Sequence, residues 1–167
     1  MSNTLINNLN RATSESWAIA IVLFTGILLT GALVMEHAFG MDPCPLCLMQ
    51  RIWFFIAGIW AYASLLHNPR WGIYPLLCVI SATIGGGFSI NQLRLQGLPA
   101  DQVPTCGPDM AYMLDVFPLS EILKAMTSGT GDCAEVVPVF GLPIPLWALL
   151  GFIAIGVLTV MQWRAGN

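Results

Sequence analysis

Four stretches of this sequence are apolar over the length that an α-helix needs to cross a lipid bilayer. They cover residues 17–35, 46–66, 71–90 and 144–163. A helix rises about 1.5 Å per residue, so about 20 residues cross the roughly 30 Å of hydrocarbon. We therefore predict an all-α membrane protein in which a single domain, residues 1–167, forms a bundle of four transmembrane helices.

The composition supports contact with lipid and excludes one class of partner. Hydrophobic residues make up 56% of the chain and charged residues 9%, whereas soluble domains have about 25% charged residues. The net charge is −3 and no cluster of Lys or Arg is present. Nucleic-acid binding needs a clustered basic patch, so we exclude it.

The positions of the basic residues predict the orientation in the membrane. Arg11, Arg70 and Arg164 fall at the N-terminus, between the second and third stretches, and at the C-terminus. Short segments that carry Lys or Arg stay in the cytoplasm. We therefore expect both termini to be cytoplasmic and two loops, residues 36–45 and 91–143, to lie outside.

Four of the five cysteines, Cys44, Cys47, Cys106 and Cys133, fall in these outer loops or where a loop meets a helix. Disulfides form and persist outside the cytoplasm. The spacing is most consistent with pairing Cys44 with Cys47 and Cys106 with Cys133, but four cysteines allow three connectivities and spacing cannot choose among them. The fifth, Cys78, lies within the third stretch and is interpreted as a small buried hydrophobe.

The Cys44-x-x-Cys47 pair stands at the start of the second stretch. There the thiols lie near unpaired backbone N–H groups and the positive end of the helix dipole, which favours the thiolate. Arg51, four residues after Cys47, is predicted to reach the same side of the helix and stabilise that thiolate. The alternative is an arginine that extends to the outer headgroups.

Two other interpretations of the four cysteines compete with a redox role. A tetrahedral zinc site is compatible with a Cys-x-x-Cys pair, but such sites usually contain a second closely spaced pair, and this chain lacks one. A purely structural set of disulfides is the stronger alternative. However, the Cys44–Cys47 bridge would close a very small loop, which constrains the unfolded chain little and suits redox exchange. We therefore predict no metal.

The long loop contains a helical pattern between its two cysteines. Apolar residues recur at helical spacing after Pro118, namely Leu119, Ile122, Leu123 and Met126. This pattern predicts a short amphipathic helix, which either lies on the outer membrane surface or packs within a small loop subdomain.

Several motifs occur together along nearly the whole chain. They are Cys44-x-x-Cys47-x-x-x-Arg51, the loop pair Cys106 and Cys133, Gly131-Asp132-Cys133-Ala134-Glu135, and Pro145-Leu146-Trp147 at the start of the last helix. In this combination the chain resembles the disulfide bond formation protein B (DsbB) family of bacterial inner-membrane quinone reductases. It differs from some members in having Pro138 where they have a tryptophan, and in having no histidine in the long loop.

The resemblance implies a location and a redox pathway. The chain would lie in the bacterial inner membrane with its cysteines facing the periplasm. A reduced dithiol oxidase of the DsbA type would attack the Cys106–Cys133 disulfide at Cys106, and Cys44–Cys47 would reoxidise this loop pair. Cys47 would then pass electrons to ubiquinone or menaquinone, held near the outer end of the second helix with the help of Arg51.

Two alternatives to this function remain open at the level of sequence. A quinone-linked thiol enzyme of the vitamin K epoxide reductase type uses the same chemistry on another chain order. A membrane scaffold or interaction protein would need its disulfides only for stability. The enzyme needs Cys47 and Arg51 for turnover, and the scaffold does not.

Overall fold

The computed structural model describes residues 2–68, 71–99, 101–107 and 110–166, with the side chains of residues 2–12, 110, 111 and 114 excepted. Arg70 and the side chain of Arg11, which contributed to the predicted orientation, lie outside what is described. Arg164 lies in the last turn of the final helix.

The described chain is almost entirely helical. Its helices are α1 (Ser2–Phe39), α2 (Pro45–Leu66), α3 (Ile73–Gln96), α4 (Met110–Val116), α5 (Leu119–Ser128) and α6 (Ile144–Gly166), with a 3-10 turn at Gly131–Ala134. Four of them, α1 from Thr13 onward, α2, α3 and α6, are long and apolar enough to cross a membrane. The prediction of an all-α membrane protein with four transmembrane helices is confirmed.

The four long helices form a ring. α1 packs against α2 and α6, and α3 packs against the same two helices. At one end of this ring α1 and α3 end while α2 and α6 begin. We call this end the cysteine end, because Cys44 and Cys47 lie there. The buried core between the helices includes Ile21, Phe54, Cys78 and Ile155.

Two helices extend beyond the apolar stretches that predicted them. α1 continues to Phe39 and α3 continues to Gln96, so residues 91–96, which the prediction assigned to the loop, are helical. The prediction placed the end of α3 too early because Asn91, Gln92 and Arg94 lower the hydropathy of this segment. The helix nevertheless continues, since Gln92 and Leu95 are buried on its inner face.

The predicted amphipathic helix is present as α5. Its Ile122 is buried, and Leu119 and Leu123 are exposed. The helix packs against α2, and the next residue, Gly129, lies so close to Leu46 that a Cβ there would be 2.7 Å from its Cδ1 atom. One face of α5 therefore packs over the start of α2 and the other faces outward.

A two-stranded hairpin precedes α6. Its strands β1 (Pro138–Val139) and β2 (Leu142–Pro143) are antiparallel, and the turn between them uses positive φ angles at Phe140 (51°) and Gly141 (83°), as two-residue hairpin turns require. The Trp147 indole N–H donates to the Val139 carbonyl at 3.0 Å. This bond ties the hairpin to the first turn of α6.

Small residues let the helices approach closely in the core. The rings of Phe54 and Phe152 stack across the bundle with centroids 3.8 Å apart. On α3, Gly85 faces this stack, and a Cβ there would lie 2.2 Å from Phe152 Cζ. Small residues serve the same purpose at other helix interfaces in membranes.

We expect Gly85→Ala to destabilise the bundle, because the added methyl group must displace the Phe152 ring from its stack. Overpacking of this kind costs about 1–3 kcal/mol. Gly87→Ala is the matched control, since a Cβ at Gly87 meets nothing within 4 Å. Thermal unfolding in detergent should give a lower melting temperature for Gly85→Ala only. Equal melting temperatures for the two variants would contradict the described packing.

Candidate functional site

The local structure at the start of α2 positions the Cys-x-x-Cys pair. Cys44 is the N-cap residue, with extended backbone angles, and its sulfur accepts a hydrogen bond from the Cys47 amide at 3.4 Å. Pro45 follows as the first helical residue, where its fixed φ fits the helix and its missing N–H is not needed. Cys47 therefore lies in the first helical turn, as the sequence predicted.

Three sulfur atoms meet at this point. The Cys44 and Cys47 sulfurs lie 3.1 Å apart, and the Cys44 thiol is also hydrogen-bonded to Cys133. Cys133 is 0% exposed and packs with Leu46 and Leu95. The structure thus brings together three of the four predicted redox cysteines, and it places Cys133 directly on the pair at the start of α2.

The 3-10 turn Gly131–Ala134 carries Cys133 into this position and also holds the segment around Cys106. The Gly131 amide donates to the Thr105 carbonyl at 3.1 Å. A Cβ at Gly131 would lie 2.4 Å from a backbone carbonyl oxygen of the same segment, so only glycine permits this approach. The backbone next to Cys106 is therefore bound to the turn that contains Cys133.

Asp132 adds polar contacts between the same two segments. Its carboxylate accepts hydrogen bonds from the Gly107 amide and the Thr130 hydroxyl, each at 3.2 Å. It also bonds to the thiol of Cys106, which is exposed, unlike the buried Cys133. One loop cysteine is therefore accessible to another protein and its neighbour is not.

The cysteines outside the membrane-spanning helices differ in acidity. The hydrogen bond from Cys44 lowers the pKa of Cys133 to about 6. The hydrogen bond to Asp132 and its negative charge raise the pKa of Cys106. The neighbouring sulfurs of Cys133 and Cys47, together with burial, raise the pKa of Cys44. At neutral pH the thiolate is therefore favoured at Cys133 and the thiol at Cys106.

Two glutamines that the sequence analysis did not identify lie beside the sulfurs, and one of them, Gln92, contacts both. The Gln92 Nε2 atom lies 3.3 Å from the sulfurs of both Cys44 and Cys47. Its Oε1 atom accepts a hydrogen bond from Gln50 Nε2 at 2.7 Å. A signal for Gln92 exists in the sequence, because it continues at helical spacing the row of small residues formed by Gly85 and Ser89. This spacing places Gln92 on the same helix face as Gly85 and Ser89 only if α3 extends past residue 90, which the sequence analysis did not predict.

Arg51 contacts α1 and not the Cys47 sulfur. Its guanidinium forms an ion pair with Glu36 and donates to the Ala32 carbonyl at 3.2 Å. The predicted contact with the Cys47 thiolate is therefore replaced by a carboxylate partner. Glu36 was missed as that partner, although an acidic residue at the end of an apolar helix is costly enough to indicate one.

A cavity of about 810 Å³ opens beside these groups, between α1, α2, α6 and the hairpin. Its polar lining at the start of α2 comprises Cys44, Cys47, Gln50 and Arg51. Its apolar lining includes Ile27, Leu28, Met35, Phe54, Ile144 and Trp147. The site therefore combines a cluster of thiols with an adjoining cavity. The lining of this cavity is polar at the start of α2 and apolar elsewhere along the helices named above.

Comparison with known proteins agrees with these features. A family model described as disulfide bond formation protein DsbB matches residues 14–162. The disulfide bond formation protein B of Saccharophagus degradans is 42% identical over 151 residues, which are 87% of this chain and 90% of that protein. No solved structure matches the chain.

A second relative is still more similar in sequence. The disulfide bond formation protein B of Marinobacter nauticus is 47% identical over 144 residues, which are 83% of this chain and 86% of that protein. The matched region includes the four cysteines that are predicted to be redox-active and most of each apolar helix. The chain therefore belongs to the DsbB family of disulfide bond formation proteins, as a multi-pass membrane oxidoreductase that forms disulfides.

Proposed function

We propose that this protein reoxidises a periplasmic dithiol oxidase of the DsbA type and passes the electrons to ubiquinone or menaquinone. In this proposal the cysteine end faces the periplasm and both termini lie in the cytoplasm of a bacterial inner membrane. One observation carries the proposal. A row of thiols leads from the exposed Cys106 segment through the buried Cys133 and the partly buried Cys44 to Cys47, which lines an apolar cavity.

The first exchange takes place at the loop disulfide. A thiolate of the partner attacks the Cys106 sulfur, the Cys106–Cys133 bond breaks, and its electron pair leaves with Cys133 as a thiolate. The second partner thiolate then attacks the mixed disulfide, so the partner is oxidised and Cys106 is released. The exposure of Cys106 and the burial of Cys133 support this order, because the partner can reach only the exposed sulfur.

The second exchange moves the electrons toward the membrane. The Cys133 thiolate attacks Cys44, against which it packs in the described structure, and Cys47 leaves as a thiolate. Cys106 then attacks Cys133 in the new bridge, which restores the loop disulfide and releases the Cys44 thiol. Two electrons and two protons have then passed from the partner to the pair at the start of α2.

The residues around the cavity fit a quinone. Apolar walls from three helices suit a ring with a hydrocarbon tail, and Arg51 and Gln50 line the cavity on the same side as Cys47. A bound quinone accepts two electrons and two protons. Cys47 presents its thiolate to the cavity, and Arg51, anchored by Glu36, supplies N–H donors that can hold a carbonyl oxygen.

We expect Cys47→Ser to abolish quinone reduction by the purified protein in detergent when a reduced DsbA-type oxidase is supplied. The serine hydroxyl cannot take part in disulfide exchange, so the electrons stop at the loop pair. Cys78→Ala is the control, because Cys78 is buried in the core away from the row of thiols. Full activity of Cys47→Ser, or no turnover by the unmodified protein with any quinone, would refute the proposal and favour a scaffold.

Arg51→Ala should raise the quinone KM about tenfold, since hydrogen bonds from charged groups contribute on this scale. Because this change also leaves Glu36 without its partner, the double variant Arg51→Ala/Glu36→Gln removes the unpaired carboxylate. Arg94→Ala, at the end of α3, is the control. A double variant with an unchanged KM would show that Arg51 pairs only with Glu36 and does not contact quinone.

Asp132→Asn should speed the alkylation of Cys106 in the reduced protein at neutral pH. The carboxylate raises the pKa of Cys106, so its removal lowers that pKa and increases the thiolate fraction. Mass spectrometry of the Cys106 peptide after timed alkylation measures the rate, with Glu121→Gln on α5 as control. If Asp132→Asn and the unmodified protein are alkylated at the same rate at every pH from 6 to 9, the described contact is contradicted.

A further inference from the structure

We propose that Gln92 is an additional catalytic residue, whose side-chain amide donates hydrogen bonds to the sulfurs of Cys44 and Cys47 and stabilises the thiolate at Cys47. We further infer that Gln50 is a positioning residue that fixes the direction of this amide. The inference rests on the proposed function, because it concerns the pair that passes electrons to quinone.

The Gln92 amide has as many N–H donors as there are sulfur acceptors beside it. A glutamine amide has two N–H groups on one nitrogen, and Gln92 Nε2 lies 3.3 Å from each of the two sulfurs. The Cys47 thiol lies 3.6 Å from Oε1 of the same amide and donates to it while protonated. The amide can therefore bond to Cys47 in both its protonated and its ionised forms.

Gln50 removes the ambiguity in the direction of the amide. Its Nε2 atom donates to Gln92 Oε1 at 2.7 Å, and in this arrangement Gln92 turns its own nitrogen toward the sulfurs. The reverse orientation would place two N–H donors against each other. Since Gln50 lies three residues after Cys47 on α2, the contact holds the amide in register with the thiol that it serves.

Burial makes these hydrogen bonds strong. Gln50 and Gln92 are each 3% exposed, and a hydrogen bond away from water is electrostatically stronger than one in water. A buried amide is also costly unless it is bonded. The groups to which Gln92 is bonded in the described structure are the two sulfurs and Gln50, so the amide is specific to this pair.

The expected effect falls on one step of the exchange. When the Cys133 thiolate attacks Cys44, the Cys44–Cys47 bond breaks and its electron pair stays on the Cys47 sulfur. Arg51 does not reach that sulfur, because it is bound to Glu36 and a carbonyl of α1. An N–H group already directed at the leaving sulfur stabilises the charge as it develops.

The test uses the full-length protein with Cys106→Ser and Cys133→Ser, which leaves one redox pair. It is equilibrated with glutathione, where one protein disulfide and two glutathione thiols give one protein dithiol and one glutathione disulfide. Alkylation and mass spectrometry measure the dithiol fraction. We expect Gln92→Leu to lower the equilibrium constant for the dithiol about tenfold, the usual scale for a hydrogen bond to a charged group, and to slow Cys47 alkylation at pH 7.

Three further variants distinguish the loss of these hydrogen bonds from a general loss of structure. Gln92→Asn keeps the polarity but is one methylene too short to reach the sulfurs, so it should behave like Gln92→Leu. Gln50→Leu should cause a smaller shift in the same direction, because the amide loses its fixed orientation. Gln162→Leu is the matched control and should leave the equilibrium unchanged. It removes another buried amide, bonded to Ser64, about 25 Å along α2 from Cys47.

The outcomes separate this inference from the proposed function, because the glutathione equilibrium needs neither quinone nor the partner oxidase. If Gln92→Leu and Gln92→Asn both keep the equilibrium constant of the unmodified protein, the inference is overturned even when quinone turnover is intact. A shift shared by Gln162→Leu would also overturn it. A shift confined to the Gln92 and Gln50 variants supports it, even if the unmodified protein fails to reduce quinone.

Discussion

The chemistry of this protein depends on the point at which α2 begins. Cys44 caps the helix, Pro45 starts it, and Cys47 falls in its first turn. A helix that began one turn later would remove Cys47 from the exposed backbone N–H groups and from the cavity. Inside a bilayer, backbone polar groups must bond within the helix, so a helix end at the membrane boundary is where unpaired donors remain available for a thiolate.

The long loop between α3 and α6 contains one cysteine that is exposed and one that is buried against this helix end. Its turn at Gly131–Ala134 packs against α2 and α3 and buries Cys133, while Cys106 stays exposed beside it. The two loop cysteines therefore face different surroundings although the backbone joins their segments directly. A carboxylate next to Cys106 and a thiol donor next to Cys133 separate the pKa values of the two cysteines in the reduced protein.

The polar side chains near the site are held in pairs. Arg51 is bound by Glu36, and Gln92 is bound by Gln50. Each pair joins α2 to a different neighbouring helix, and each limits the cost of a polar group near the hydrocarbon. Such pairs are compatible with a quinone site, because they keep donors directed at the cavity and the sulfurs without leaving an uncompensated charge.

Much of this architecture could be predicted from the sequence, because it depends on local patterns. Apolar stretches of bilayer length determined the four helices, helical spacing determined α5, and Cys44-x-x-Cys47 determined the thiols at a helix start. Only the tertiary structure decided that Cys133 rests on Cys44, that Glu36 binds Arg51, and that α3 extends to bring Gln92 onto the sulfurs. These features join segments that are distant in the chain. Hydropathy cannot predict them, because a polar residue on a buried helix face lowers the local hydropathy as much as one in a loop.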